Sequence, residues 1–215
     1  LAKRKGGEVY SQMLTLTAIT DGNNVITNYI MSFNDISQRK GYEEEIRNLA
    51  FYDALTQLPN RRLLMDRLQH LIAQAQRSES HYAILFIDLD NFKAVNDQHG
   101  HLAGSGVLRQ LAECLQEELR EVDTIVRYGG DEYLLVLTQT NAEGVKTLCE
   151  RIRQKIEATT FSSGSDSIKL TASLGYCLVG KETDLDARKQ VRNADHALYE
   201  AKEKGRNRIV GFTAT

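Results

Sequence analysis

The 215-residue chain has a net charge of only −2. It lacks the positive excess of a protein whose main work is neutralising nucleic-acid phosphates, so no nucleic acid polymer is expected as a partner. A small anionic ligand remains open, because it needs only a local cluster of Lys and Arg. Cysteines are few: Cys114, Cys149 and Cys177 are odd in number, scattered and without metal spacing. They read as buried thiols of a reducing cytosol, and a cytoplasmic location is expected. Long apolar runs are missing too. Stretches such as "YAILFI" are far too short to span a bilayer, and no signal peptide or membrane segment is visible. The abrupt opening "LAKRKGGEVY" is what a fragment of a longer protein would show. No repeat or low-complexity tract stands out. What is present is ordinary for a soluble protein, 41% hydrophobic and 26% charged, with length for one full domain and a smaller piece.

The first forty residues alternate like a β-meander, with "VYSQMLTLTAIT" and "VITNYIMSFNDI" flanking the turn signal "DGNN". Two or three strands do not bury a core alone, so this segment is expected to be the tail of a larger domain or a patch leaning on a partner. In "SQRKGYEEEIRNLA", Tyr42, Ile46 and Leu49 share one helical stripe. Two readings stay open: a helix packed on its own domain, or a short parallel helix pair linking a sensor to an output module. From residue 52 helical and strand periods alternate. "RRLLMDRLQHLIAQAQR" is helical, "YAILFIDLD" a strand and "GVLRQLAECLQEELR" a helix; "TIVRYGGDEYLLVL" is a hairpin. "AEGVKTLCERIRQKIEA", "IKLTASLGYCLV", "VRNADHALYEAKEKG" and "RIVGF" add helix, strand, helix and a short strand. Without the leading helix the order is βαββαβ, an α+β, ferredoxin-like sheet with helices on one face.

In that topology the first and third strands are the central pair. Asp88 and Asp90 of "FIDLDNFK" then lie on one side of the pleat, beside the turn of "RYGGDEY". Asp88 and Asp131 are expected to face each other across neighbouring strands, with Glu132 close by. Two bare carboxylates about 4 Å apart repel by ~4 kcal/mol at an effective dielectric of 20. No Lys or Arg lies in "FIDLDNF", so a divalent cation, Mg²⁺ or Mn²⁺, is the natural counter-charge. Gly129 and Gly130 suit the positive φ of a tight turn and let a base or phosphate approach the backbone. Lys202 and Arg206 of "AKEKGRN", at i and i+4 on a helix C-terminus, are expected to clamp phosphates. Together these features suit metal-assisted phosphoryl transfer. His99 and His101 of "HGH" are not assigned as ligands.

The stretches "DALTQLPNRR", "FIDLDNFKAVNDQHGH", "RYGGDEY" and "ADHALYEAKEKGRNRI" resemble, in order, those of a GGDEF domain, the palm-like diguanylate cyclase module of bacterial signalling. Residues 1–37 resemble the C-terminal strands of a PAS-like sensor domain, with residues 38–50 as a helical linker and 51–215 as the cyclase domain. The resemblance implies a homodimer that condenses two GTP molecules into cyclic di-GMP with release of pyrophosphate. Asp88, Asp131 and Glu132 would ligate the metals with help from the Leu89 carbonyl. Glu132 would alternatively activate the ribose 3′-hydroxyl. Asn96 would bond the guanine, Phe92 and Lys93 would line the nucleotide beside the catalytic acids, and Lys202 and Arg206 would hold the terminal phosphates. The family's product-binding inhibitory motif has its counterpart in "REVD", with Arg120 and Asp123 gripping guanine edges and Arg151 in support.

Two residues depart from the family pattern. Its terminal Phe is Tyr133 here, which keeps the aromatic packing but adds a hydroxyl in need of a partner. Its guanine-pairing Asp is replaced by Ser105 in "GHLAGSG". Losing a hydrogen bond to a charged group would forfeit roughly ten- to a hundredfold preference for guanine. A hydroxyl donates or accepts, so ATP becomes tolerable. Ser here resembles the hybrid subgroup that also makes cyclic AMP-GMP; simple weakening of GTP binding is the alternative. A third reading is a GTP-binding regulatory module, without catalysis, for an adjoining phosphodiesterase domain.

Overall fold

The computed structural model describes residues 1–78, 80–163, 166–180 and 186–213. The end of the expected cyclase segment, at residue 215, lies outside them. The chain divides into two compact units, Leu1–Ala50 and Phe51–Thr215.

In the first unit β1 (Ala2–Lys3) pairs antiparallel with β2 (Val9–Tyr10), and β3 (Gln12–Thr20) with β4 (Ile26–Asp35). The turn between the long strands is fixed by Asp21, whose Oδ1 accepts from the backbone of Asn23 and Val25 at 2.9 and 3.0 Å. Phe33, Met31, Tyr29 and Leu16 of this hairpin stay exposed, as expected of two strands with no third layer. Helix α1 (Ser37–Phe51) follows, with Tyr42, Ile46 and Leu49 all exposed on its expected stripe.

The second unit runs α2 (Arg61–Ser78), β5 (Tyr82–Leu89), α3 (Phe92–Glu117), β6 (Thr124–Gly129), β7 (Glu132–Thr138) and α4 (Ala142–Ala158). A small hairpin, β8 (Phe161–Ser163) and β9 (Asp166–Ile168), precedes β10 (Ala172–Val179), α5 (Ala187–Glu203) and β11 (Ile209–Gly211). The main sheet has the order β11-β10-β5-β7-β6, antiparallel except for the parallel β10–β11 pair. The βαββαβ core is therefore present, with its first and third strands, β5 and β7, adjacent.

The helices are not confined to one face, as the sequence reading had them. All eight residues of β5 are buried, so both of its faces need cover. Leu85 and Ile87 pack in one core with Val107 and Leu111 of α3 and Val145 and Ile152 of α4. Ile84 and Phe86 pack in a second core with Leu64 and Leu68 of α2 and Val191 and Leu198 of α5. The stripe Val145, Cys149, Ile152 and Ile156 gives α4 its buried side, and the Asn141 side chain caps it by accepting from Gly144 N at 2.8 Å. The helix expected at Gly106 begins at Phe92 instead and is broken at Gly100, whose φ of 81° is non-helical. No helix among the described residues is long and apolar enough to cross a membrane.

Candidate active site

Because β5 and β7 run antiparallel, the C-terminal end of one meets the first residue of the other. Asp88 is the direct cross-strand partner of Glu132, whereas Asp131 sits in the turn just before β7. Asp88 is only 7% exposed. Its counter-charge comes from α5: Lys202 Nζ lies 2.8 Å from Asp88 Oδ2. No cation lies beside Asp88 in the sequence; the fold brings Lys202 in from a distant helix. Burial pushes the Asp88 carboxyl up, the Lys202 hydrogen bond pulls it down, and the neighbouring Asp131 and Asp90 raise it again. Glu132 is likewise raised, first by burial and then by Asp88.

Asp90 has a different task. It is buried, and its carboxylate accepts from Thr171 Oγ1 and Ser173 Oγ at 2.7 Å each and from Asn207 N at 3.0 Å. It ties the end of β5 to β10 and to the loop after α5. That loop also revises the expected basic pair. Helix α5 ends at Glu203, and Arg206 lies beyond it in left-handed backbone (φ 62°), its N–H returning to Ala201 O at 3.1 Å. Lys202 is in the last helical turn, so the two are not an i,i+4 pair on one helix.

The turn between β6 and β7 needs glycine at Gly130, where φ is +31°; Gly129 is the last residue of β6 and is not left-handed. Arg127 shapes this turn from behind. Its Nε and Nη2 donate to Gly130 O at 3.0 and 2.7 Å, while Nη1 donates to both Asp53 oxygens at 2.9 and 3.1 Å. Asp53 in turn accepts from Thr56 N and Oγ1 at 2.8 Å each. Sequence reasoning gave neither Asp53 nor Arg127 a role. The signal was present as "DALT" and the Arg of "RYGG", but their pairing spans the fold.

Beside the turn lies a cavity of 380 Å³, lined by Phe92, Lys93, Asn96, Ser105 and Asp131, with Gly104 against Asn96. The fold thus brings the expected base-binding residues together next to the acids. A Cβ on Gly104 would sit 2.0 Å from Asn96 Oδ1 and 3.1 Å from the Phe92 ring, so only glycine admits this arrangement. Tyr133 is fully buried, and its added hydroxyl has the partner it needs, donating to Leu108 O at 2.7 Å. His101 also borders the cavity, while His99 Nδ1 is 2.9 Å from Asp166 Oδ2.

Among the described residues no three His, Cys, Asp or Glu side chains stand ready as a metal cage. The donor set nevertheless fits a hard divalent cation that keeps most of its waters: Asp88 and Glu132 are paired across the strands, with Asp131 adjoining. Such an ion would take the place of the Lys202 ammonium on Asp88 Oδ2.

Arg120, Asp123 and Arg151 line a separate cavity of 670 Å³. Asp123 accepts from Arg120 N at 3.2 Å and Thr138 N at 3.1 Å. Arg151 is engaged by Glu118, through an ion pair with the side chain and a 2.8 Å bond from Nη2 to the backbone oxygen. Nothing in the sequence pointed to Glu118.

Residues 50–208 match the family described as "Diguanylate cyclase, GGDEF domain". The chain is 40% identical over 171 residues to the bifunctional diguanylate cyclase/cyclic di-GMP phosphodiesterase MucR of Pseudomonas aeruginosa, covering 80% of this chain and 25% of that protein. It is 33% identical over 208 residues to the diguanylate cyclase DosC of Escherichia coli, covering 94% of this chain and 45% of the relative. The coiled coil and GGDEF domain of DgcB from Caulobacter crescentus, solved in complex with c-di-GMP, matches with a TM-score of 0.75 at 27% identity, over 82% of this chain and 93% of that one. This chain spans less than half the length of either curated relative.

Proposed function

This chain belongs to the GGDEF family of diguanylate cyclases, and we propose that it condenses two GTP molecules into cyclic di-GMP. The observation that carries the reading is the Asp88–Glu132 pair at the sheet edge, with Lys202 on Asp88 and the Asn96 cavity alongside. Asn96 and Ser105 hold the base, Phe92 and Lys93 line the nucleotide, and Lys202 and Arg206 hold the terminal phosphates. Gly129 and Gly130 leave the backbone open to the ligand. Mg²⁺ or Mn²⁺ held by Asp88, Asp131 and the Leu89 carbonyl, with Glu132 adjoining, would offset triphosphate charge. The 3′-oxygen of one GTP bonds to the α-phosphorus of the other, its proton passing to Glu132. The bond from that phosphorus to the β-phosphate oxygen breaks, and pyrophosphate leaves. The reciprocal exchange closes the ring.

One site holds one nucleotide, so two copies of the chain must face each other. In this reading residues 1–37 are the end of a PAS-like sensor, residues 38–50 the linker that aligns the copies, and the reaction takes place in the cytoplasm. Arg120, Asp123 and Arg151 bind the product and lower activity. Incubation with GTP and Mg²⁺ or Mn²⁺ over a range of protein concentrations is expected to give cyclic di-GMP. Tight GTP binding with no product at any concentration would instead favour a regulatory module beside a phosphodiesterase domain, the pairing named in the MucR relative.

Ser105 in the base cavity supports a second product. A GTP and ATP mixture is expected to yield some cyclic AMP-GMP, and Ser105→Asp to suppress it. Pure cyclic di-GMP from both proteins would remove this reading.

A further inference from the structure

A second cavity, of 1210 Å³, borders the Gly129–Gly130 turn from the side of α2 and α5, the helices of the other sheet face. It shares Arg127 and Gly130 with the Asn96 cavity. Among the described residues its walls contain Arg61, Arg62, Arg127, Arg188 and Arg192 against Asp53 and Asp186. Asp53 is committed to Arg127, and Asp186 caps α5 by accepting from Arg188 N at 2.9 Å. No ion pair among the described residues includes the guanidinium of Arg61, Arg62, Arg188 or Arg192.

Concentrated positive charge is unusual in a chain whose net charge is −2. Arg188 and Arg192 stand at i and i+4 on α5, a like-charged spacing that destabilises a helix unless an anion offsets it. Two of the arginines are also held in place. Arg61 lies over the Tyr128 ring at 4.8 Å, itself edge-on to Phe86, and Arg62 lies over Phe51 at 5.3 Å. Stacking of this kind orients the planar guanidinium fork before a ligand arrives, which favours paired hydrogen bonds to phosphate oxygens. The N-termini of both helices open here, but the Asn60 and Asp186 side chains occupy their first N–H groups, which leaves recognition to the arginines.

We propose that this cavity binds a pyrophosphate group, free or as part of a nucleoside triphosphate, at a site separate from the acidic edge where Lys202 lies. Its lever on the turn is Arg127, which lines the cavity and holds Gly130 O. The proposal stands whether or not the chain proves to be a cyclase.

The test is calorimetric titration of the full chain with inorganic pyrophosphate, and separately with GTP, in the absence of divalent metal. At least one titrant is expected to bind, and Arg188→Gln/Arg192→Gln to weaken it roughly tenfold or more, the loss of two charge-assisted hydrogen bonds. Lys202→Ala/Arg206→Ala should leave the pyrophosphate affinity unchanged. Sensitivity of the pyrophosphate titration identifies the free anion as sufficient; sensitivity of the GTP titration alone identifies the nucleotide. Should the double arginine variant lose its far-UV helix signal, Arg62→Gln replaces it and is expected to weaken binding severalfold. Absence of binding by both titrants, or binding lost with Lys202 and Arg206 but indifferent to the cavity arginines, overturns the proposal.

Discussion

The Asp53 carboxylate is drawn in opposite directions. Burial pushes its pKa up, but the bonds from Arg127 and Thr56 outweigh burial and hold it below the ordinary value of 3.8. A carboxyl lowered on folding adds stability that is present above the unfolded value and lost as pH falls through the folded one. Asp53→Asn is therefore expected to cost about 1.5–3 kcal/mol at pH 7, the worth of hydrogen bonds to a charged group. In urea unfolding the gap between variant and parent should begin to close once the pH drops below 3.8. A gap that stays constant down to pH 2 would contradict the pairing as the source. Glu118 is the second residue whose effect is felt at a distance. A cyclic dinucleotide reaching Arg151 must displace it, so Glu118→Gln is expected to tighten cyclic di-GMP binding roughly two- to fivefold, the scale of a partly exposed ion pair. Unchanged affinity with binding otherwise intact would show that Glu118 does not compete; no binding by either protein would instead remove the feedback reading.

Helix α3 shows what one element contributes to a site. Residues eight apart on a straight helix are about 12 Å apart along the axis. Yet Gly104 sits against Asn96, with room for no Cβ between them, because the chain folds back at Gly100. The cavity is thus made by two halves of one helix packing on each other. Gly104→Ala should force Asn96 away and raise the KM for GTP roughly fivefold or more, one hydrogen bond's worth, at a stability cost of about 1–3 kcal/mol. An unchanged KM would show that Asn96 does not hold the nucleotide. This element was also the least legible in the sequence. "NDQHGHLAGSG" is polar and glycine-rich, without the apolar period that marks the helix after Gly106. The strands were clearer, since continuous runs such as "YAILFI" identify β5, though its unbroken apolarity already implied cover on both faces. The acids were found because Asp88 and Glu132 end and begin apolar runs. Their Lys202 counter-charge was not, because only the tertiary fold joins α5 to β5.

At the scale of the whole molecule, the proposed reaction needs two copies in register, and α1 offers a single exposed stripe of Tyr42, Ile46 and Leu49 to hold them. Deleting residues 1–50 is expected to leave the remaining unit folded but to lower specific activity most at high dilution. Equal specific activity of both forms across dilutions would contradict a linker role. The Lys202–Asp88 contact has a further consequence for the molecule as an object to be handled. Proteins whose fold depends on an ion melt when the ion is removed. Here an internal ammonium serves as placeholder, so treatment with a chelator should leave the melting temperature untouched. Replacing Lys202 with Met should lower it, and added Mg²⁺ should then restore part of the loss.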